Sequence, residues 1–363
     1  MKRAEIFILL AAVMSTTFYH EDSMNDLDTF IDGLPKAELH MHLEGSLEPS
    51  LLLTLARRNG VELAWDSEDA IRAAYEFDNL QSFLELYWAG CRVLRHEQDF
   101  YEMTRAYLER VRQDNVLHAE LMLSPQNFIT RDIAIETVMD GVLRAMDDAK
   151  AETGISSGLI IVIQRQRPEK DAFAVLGAVA PWADRVDAFG LGGPEVQFPP
   201  SGFVDFFRAC HDAGFRTVIH AGEEGPASYV REAVELLHAD RIDHGNACLD
   251  DPDLVRILVE RQIPLTLCPL SNLRLKVIPS TEAHPLRRLI EQGVKVTINS
   301  DDPSYFGGYV NDNYKACCHA LGLDVVELAQ IARNSFSAAF LPEDSKSHYL
   351  GLIDAYLTGS NCA

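Results

Sequence analysis

Hydrophobic positions along the chain form eight short runs, either apolar or alternating with polar residues, separated by longer segments with helical spacing. Each short run ends in a loop that carries Gly, Pro, Ser or Asp, as strands commonly do. Between the runs, apolar residues recur at i, i+3 and i+4, as from Leu80 to Cys91, which predicts helices with one buried face. The predicted strands are Lys36–Leu43, Val116–Leu123, Gly158–Ile163, Val186–Leu191, Arg216–His220, Arg241–His244, Ile263–Cys268 and Lys295–Asn299.

Strands that alternate with helices in this way predict an α/β fold, a (β/α)8 TIM-type barrel, with an open doubly wound sheet as the structural alternative. The stretch between the first two predicted strands is much longer than the others, and we expect it to form extra helices near the mouth of the barrel. No low-complexity linker or internal repeat interrupts the chain. The region 31–357 is therefore predicted to be a single barrel domain, and residues 1–30 a disordered or non-core lead-in.

The amino-terminal stretch allows two interpretations. Lys2 and Arg3 precede a short apolar run from Ile6 to Met14, which is typical of a signal-peptide core but too short to span a bilayer. Against export, Glu5 lies in the basic region and no A-x-A-like cleavage site follows. We therefore predict a cytoplasmic protein, with export as the alternative.

The composition narrows the range of partners. Acidic residues outnumber basic residues by 55 to 32, which gives a formal charge of −23. This charge should repel nucleic acid and anionic lipid, so we expect neither nucleic acid nor a membrane as a partner. The seven cysteines contain no CxxC pair, which favours free thiols in a reducing compartment. The sequence does not indicate an oligomeric state.

The first candidate for chemistry is the pair His40 and His42 at the end of the first predicted strand. Residues at i and i+2 of a strand point to the same side, so both imidazoles can face the barrel interior while Leu39 and Met41 face the helices. Two imidazoles on one strand can form half of a metal site. Two unrelated polar histidines are the structural alternative.

Three further motifs follow other predicted strands: His220 to Glu223, Asp243-His244-Gly245, and Asn299 to Pro303, which contains Asp301 and Asp302. Each has a structural explanation when taken alone, such as a surface carboxylate or a polar helix start. Because the carboxyl ends of barrel strands meet at one face, the four motifs should lie together. Three histidines and one aspartate then form a metal site with an open position for water, and the remaining groups suit proton transfer.

The stretches LPKAELHMHLEGSLEP, HAGEEGP, RIDHG, LCPLSN and NSDDPSYFGGY occur in this order between about residue 34 and residue 340. This series resembles the adenosine/adenine deaminase family of the amidohydrolase superfamily, and in overall look the bacterial adenine deaminases. The resemblance implies hydrolytic deamination of a 6-aminopurine, adenosine or adenine, to inosine or hypoxanthine with release of ammonia. It also implies one Zn²⁺ per chain, which activates a water molecule, and a small purine base or nucleoside as the partner.

The same resemblance assigns roles to individual residues. Glu223 protonates purine N1, and His244 holds and activates the attacking water together with Asp301. Asp302 hydrogen-bonds purine N7, and the backbone of Gly193 contacts N3, with Glu195 closing the motif. The implied metal ligands are His40, His42, His220 and Asp301.

Several departures from the family pattern leave the substrate open. Glu44 stands where nucleoside-specific members have an aspartate near the ribose, so Glu44 can reduce the sugar space or contact a different hydroxyl. The loop Phe189 to Glu195 and the stretch Gln164 to Arg167 also differ from the adenine deaminase branch. Adenine, adenosine and a modified adenine, N6-substituted or ribose-modified, remain alternatives. Arg165 and Arg167 are interpreted either as a phosphate clamp or as part of a solvated loop.

Two other classes of protein remain as alternatives, another mononuclear metal amidohydrolase and a non-catalytic binding protein of the same fold. The chain lacks the HxE and PCxxC pattern of the cytidine-type zinc deaminases, so that class is excluded.

Overall fold

The computed structural model describes residues 26–360, and its eight strands are parallel neighbours in sequence order. The backbone N–H of His42 donates to the carbonyl of Asp301 (2.8 Å), and the N–H of Asp301 donates to the carbonyl of His40 (3.0 Å). These two bonds join the last strand to the first, so the predicted TIM-type barrel is confirmed. The strands are β1 Lys36–His42, β2 Val116–Leu123, β3 Ser156–Gln164, β4 Ala188–Gly192, β5 Arg216–Ala221, β6 Arg241–His244, β7 Leu265–Leu267 and β8 Val296–Ile298.

The long connection between β1 and β2 is helical, as predicted. Helix α3 begins with a capping box in which Asn79 and Ser82 exchange side-chain and backbone hydrogen bonds, and its apolar face is buried over the barrel. The helices of this connection are α1 Pro49–Asn59, α2 Glu68–Ala73, α3 Leu80–Cys91 and α4 Glu97–Arg112.

The later helices complete the outer layer of the barrel. They are α5 Gln126–Ile129, α6 Ile135–Thr153, α7 Glu169–Val179, α8 Val204–Asp212, α9 Ala227–Glu235, α10 Pro252–Arg261, α11 Pro269–Arg274, α12 Leu286–Glu291, α13 Pro303–Phe306, α14 Val310–Leu321, α15 Val325–Ala338 and α16 Glu343–Ser360. The apolar side of each strand, for example Leu39 and Met41 of β1, packs in a continuous core beneath this layer. This core fixes the strand ends that carry the site.

The amino-terminal end of the described chain packs against the core. Residues 26–33 are helical, with Phe30 and Ile31 in the core, so the last residues of the expected lead-in are part of the folded structure. The rest of the predicted lead-in, residues 1–25, lies outside the described residues.

Among residues 26–360, no helix combines the length and hydropathy that crossing a membrane requires.

Candidate active site

The four predicted metal ligands come together at the carboxyl ends of β1, β5 and β8. One ligand atom from each of His40, His42, His220 and Asp301 lies within 4.8 Å of the others. The Nε2 atoms of His40 and His42 are each 3.4 Å from Asp301 Oδ1, and the Nε2 atoms of His42 and His220 are 3.2 Å apart. The arrangement places three imidazole nitrogens and one carboxylate oxygen around a common point.

Backbone strain marks two residues of this site. His244 and Asp301 have φ values of 63° and 65°, in the left-handed region that side chains other than Asn, Asp or His seldom adopt. His244 is the last residue of β6 and Asp301 lies three residues after the end of β8, so both stand at the carboxyl ends of short, buried strands. Such strain is typical of functional sites, where the surrounding fold holds an otherwise unfavourable conformation.

A second layer of hydrogen bonds orients the histidine rings. His40 Nδ1 lies 3.0 Å from Thr266 Oγ1, and His220 Nδ1 lies 3.1 Å from Asp243 Oδ2. Thr266 Oγ1 donates to the other oxygen of Asp243 (2.7 Å). Burial would raise the pKa of Asp243, but the facing rings of His40 and His220 lower it well below its usual range. Histidine ligands of metal ions commonly bond through their second ring nitrogen to a carboxylate or another acceptor. This bond fixes which nitrogen faces the ion.

The chemistry of these donors fits a metal ion. Burial lowers the pKa of His42 to about 3, which keeps the ring in the neutral form that binds metals. Nε2 of His40 is buried and has no hydrogen-bond partner among residues 26–360. A buried polar atom without a partner is costly, and a metal ion at the common point would satisfy it. His/Asp ligand sets with an open position are typical of catalytic zinc sites.

Glu223 lies beside the cluster with its carboxyl group almost fully buried. Burial raises the pKa of Glu223 well above its usual range, and the nearby negative charges of Asp301 and Glu195 raise it further. Its Oε2 is 3.5 Å from His244 Nε2, and its Oε1 has no hydrogen-bond partner within the described chain. These shifts favour the protonated form of the carboxyl group, which is the form that a general acid requires.

A chain of hydrogen bonds runs through His284 and Asn272 to the predicted catalytic residue His244. The sequence did not reveal this chain. The backbone N–H of Leu286 donates to His284 Nδ1 (3.1 Å), so the proton of the neutral His284 ring is on Nε2. That nitrogen lies 3.2 Å from Asn272 Oδ1, which also accepts from Asn246 (2.7 Å). Because Oδ1 of Asn272 accepts both bonds, the amide NH₂ of Asn272 is left to face His244.

The Asn272 Nδ2 atom is 3.4 Å from His244 Nδ1. Burial lowers the pKa of His244 well below its usual range, so the ring is neutral. With Nδ1 accepting from Asn272, the ring proton is on Nε2, which faces Glu223 and Asp301. His244 thus presents an N–H to the centre of the site.

Two of the three predicted substrate contacts, Asp302 and Gly193, line one cavity above the cluster, with about 560 Å³ of empty space. Asp302 lies in the cavity wall. Burial, and to a smaller extent the charge of Asp301, raises the pKa of Asp302 well above its usual range. Gly45 permits this position, because a Cβ there would lie 1.8 Å from Asp302 Oδ1. Gly193 lines the same cavity, with a φ of 96°. The apolar cover consists of Leu80, Phe83, Leu84, Tyr87, Trp88 and Phe306.

Glu44 is buried next to this cavity but does not line it. Its Oε1 accepts from the backbone N–H of Ser124 (3.0 Å) and from the amide of Asn127 (3.3 Å). Ser124 is itself part of the cavity wall. Glu44 therefore supports the cavity wall through its hydrogen bond with Ser124. Its role in substrate binding stays a prediction.

Both sequence interpretations of Arg165 are wrong. Its side chain is fully buried, donates to the carbonyl of the metal-site residue His220, and lies 4.0 Å from Glu195. Arg167 is half-buried and donates to Gln164 Oε1 (2.9 Å). Arginine is seldom fully buried without a partner, and here Glu195, which lies elsewhere in the sequence, provides the opposite charge.

Comparison with known proteins is consistent with this geometry. Residues 35–356 match the sequence model of the family described as adenosine deaminase. The chain belongs to the adenosine deaminase family. It is 55% identical over 334 residues to an adenine deaminase from Rhodopseudomonas palustris, covering 92% of this chain and 97% of that protein. This family relationship confirms the resemblance that the motifs indicated.

Two solved structures of family relatives superpose on the barrel. The crystal structure of an adenine deaminase from Arthrobacter aurescens has a TM-score of 0.88 and 44% identity, covering 90% of this chain and all of that one. An amidohydrolase from Burkholderia ambifaria, solved with bound Zn, has a TM-score of 0.85 and 29% identity, covering 93% and 95% of the two chains.

Proposed function

We propose that the protein is a zinc-dependent adenine deaminase that hydrolyses adenine to hypoxanthine and ammonia. The observation that carries the proposal is the meeting of a four-ligand cluster, the buried carboxyl group of Glu223 and the ring of His244 at one end of one cavity. The relative from Rhodopseudomonas palustris and the structure from Arthrobacter aurescens are both described as adenine deaminases. These similarities favour the free base over the nucleoside.

Zn²⁺ is proposed as the metal because its preferred ligands are the imidazole nitrogens and carboxylate oxygen found here, and because the Burkholderia ambifaria relative was solved with Zn. When bound, the ion would lower the pKa of a water molecule toward neutrality. The ligands would be His40, His42, His220 and Asp301. Iron, manganese and cobalt accept similar ligands, so metal analysis of the purified protein tests this part of the proposal.

The reaction requires proton transfers at stated atoms. Glu223, in its acid form, donates a proton to purine N1 as water adds to C6, so that negative charge does not accumulate on the ring. The Nε2–H of His244 holds the water oxygen, and Asp301, whose Oδ2 is 3.9 Å from that nitrogen, accepts the proton of the water. This proton passes to the amino group, the C6–N bond breaks, and ammonia leaves. The proton that remains on the C6 oxygen passes to the carboxylate of Glu223 as the C6=O bond of hypoxanthine forms, which restores the acid.

Two contacts orient the base in the proposed complex. Asp302 hydrogen-bonds N7, and the raised pKa of its carboxyl group favours the form that donates to this nitrogen. The backbone N–H of Gly193, on the opposite loop, donates to N3. Together these bonds hold C6 over the cluster, because N3 and N7 lie on different edges of the purine. The partner is thus a small purine base.

Cytoplasmic location and a single domain, 31–357, belong to the same proposal. The six cysteines within residues 26–360 are buried and unpaired, as expected in a reducing compartment.

The direct test is ammonia release by the zinc-loaded full chain from adenine, adenosine, deoxyadenosine and N6-methyladenine at matched concentrations. We expect turnover of adenine to exceed that of each nucleoside. Preferred turnover of adenosine would contradict the substrate assignment, and preferred turnover of N6-methyladenine would identify a modified adenine as the substrate. Silence on all four with the metal bound would contradict the proposed function.

A further inference from the structure

The buried carboxylate of Glu195 binds four consecutive backbone amides of the loop that carries Glu223. Its Oε1 accepts from Gly222 (2.6 Å), and its Oε2 accepts from Glu223 (2.9 Å), Glu224 (2.9 Å) and Gly225 (2.8 Å). Glu195 itself lies two residues after Gly193, on the loop that follows β4. The Glu195 side chain therefore connects two loops. One, after β4, carries Gly193, which is proposed to contact the base, and the other, after β5, carries the proposed acid Glu223.

These amides have no alternative acceptor in a strand or helix, since the loop lies between β5 and α9. Three of these N–H groups are buried and that of Glu224 is partly buried, so leaving them without acceptors would be costly, and a carboxylate is the strongest acceptor that a protein offers them. A single carboxylate also fixes their relative orientation, because its two oxygens receive all four bonds. The direction in which the Glu223 side chain leaves the backbone is thus set by Glu195.

Arg165 provides the counter-charge beneath this arrangement. Its Nη1 is 4.0 Å from Glu195 Oε1, and its Nη2 donates to the carbonyl of His220 on β5. Glu224, on the far side of the loop, accepts a hydrogen bond from the backbone of Leu80 at the start of the covering helix α3. The loop is therefore fixed both to the barrel below it and to the cover above it.

We propose that Glu195 is a positioning residue for catalysis, which aims the carboxyl group of Glu223 at the ring nitrogen of the substrate through the loop backbone. The inference rests on the proposed function, since it requires Glu223 to be the acid. It assigns Glu195 no contact with substrate or metal. Misplacement of a catalytic group by about 1 Å can reduce the rate by roughly 100-fold, so the effect should appear in kcat.

Two variants disturb the same contact by different means. Glu195→Gln replaces one acceptor oxygen by an NH₂ group that opposes a backbone N–H. Gly225→Ala leaves Glu195 intact, but its Cβ would lie 2.6 Å from Glu195 Oε1 and from the ring of Tyr229. Gly202→Ala is the matched control, because nothing lies within 4 Å of a Cβ at that position.

Each variant would be measured as the zinc-loaded full chain, with adenine kinetics, metal content and thermal unfolding. We expect Glu195→Gln and Gly225→Ala to lower kcat by about 10- to 100-fold, to change KM by less than about 3-fold and to retain the metal. Gly202→Ala should match the wild type. A purely structural role would instead lower kcat only in proportion to lost metal or lost folded protein.

Wild-type kcat in Glu195→Gln would overturn the inference, as would a loss of kcat that follows the loss of metal. If these variants turn over adenine as fast as an active wild type, only the positioning role fails. If the wild type itself deaminates none of the 6-aminopurines, the proposed function fails and the inference fails with it.

Discussion

Two glutamates inside the same barrel, Glu120 of β2 and Glu223 after β5, differ in what surrounds them. Glu120 lies 2.7 Å from Arg241, the first residue of β6, and accepts from the backbone of Phe340 (2.5 Å). Burial would raise the pKa of Glu120, but Arg241 and His118 lower it below its usual value. Glu223 is also buried, but the neighbouring charges that act on it most are carboxylates, and its pKa is raised well above its usual range.

The comparison shows that burial alone does not decide the state of a carboxyl group. Desolvation acts on both glutamates, and the sign of the neighbouring charge determines whether the group stays ionised or keeps its proton. The ionised Glu120 joins β2 to β6 and to the segment after α15, which is a structural role. Glu223 lines the cavity, and its raised pKa favours the protonated form that the proposed acid role requires.

Removing the metal should have the largest effect on activity. It should affect the site around Glu223 and leave the ion pair of Glu120 and Arg241 unchanged. We expect dialysis against a strong chelator to abolish adenine turnover, because the four ligands would hold the ion that activates water. Zinc should restore it. Ammonia release with metal analysis checks this, and full activity in metal-free protein would contradict the account.

Glu223→Gln should have the next largest effect on activity. We expect kcat to fall by about 10²- to 10⁴-fold, because an amide cannot deliver a proton to the ring. Metal content and the unfolding temperature should stay near wild type, since Glu223 Oε1 has no partner to lose. A variant with more than a tenth of the wild-type kcat would show that another group supplies the proton.

Glu120→Gln should produce the opposite result, a loss of stability with retained activity. It leaves the buried Arg241 without its counter-charge, and we expect the free energy of unfolding to fall by about 3–5 kcal/mol. Urea unfolding measures this, with Glu260→Gln at an exposed ion pair with Arg256 as the control of smaller effect. The folded fraction should keep the wild-type kcat. An unchanged unfolding midpoint would contradict the structural role.

The two pKa shifts predict opposite pH dependences. The pKa of Glu120 is lowered in the folded state, so its stabilisation is present above the unfolded value of 4.5 and is lost as pH falls. Glu120→Gln should remove this acid-side decline. The pKa of Glu223 is raised, so the proton it donates is present below its folded pKa and is lost as pH rises. Turnover should therefore decline on the alkaline side, and turnover that rises steadily into alkali would contradict Glu223 as the acid.

The smallest effect is expected at Gln166, an uncharged neighbour of the same cavity. Its Oε1 is buried without a hydrogen-bond partner among the described residues and would lie 2.6 Å from a Cβ at Gly193. If adenine supplies the missing donor, Gln166→Met should lower kcat/KM for adenine by about 3- to 10-fold, chiefly through KM. Gln113→Met, at an exposed position, is the control. An unchanged KM would exclude a contact between Gln166 and the base.

The sequence predicted the barrel and the residues that meet at its mouth for a physical reason. Apolar runs mark strands, strands in a barrel end at one face, and polar residues placed directly after them must come together. His40, His220 and Asp301 were therefore identifiable without coordinates, and all eight predicted strands are present, with β7 and β8 shorter than expected.

What the sequence did not reveal depends on contacts between distant segments. Arg165 looked like a surface residue because its partners, Glu195 and the carbonyl of His220, lie on other strand ends. The chain from His284 through Asn272 to His244 likewise joins three loops. The motif from His220 to Glu223 singled out Glu223, but the lowered pKa of Glu120 follows from such distant partners and has no local sequence pattern.

The most direct test of this distinction is infrared difference spectroscopy of the zinc-loaded protein at neutral pH. The wild-type spectrum would be compared with those of Glu223→Gln and Glu120→Gln. The account predicts that Glu223→Gln removes a protonated carboxyl band, whereas Glu120→Gln removes carboxylate bands. Loss of carboxylate bands in Glu223→Gln would contradict the claim that this residue holds the proton that the reaction requires.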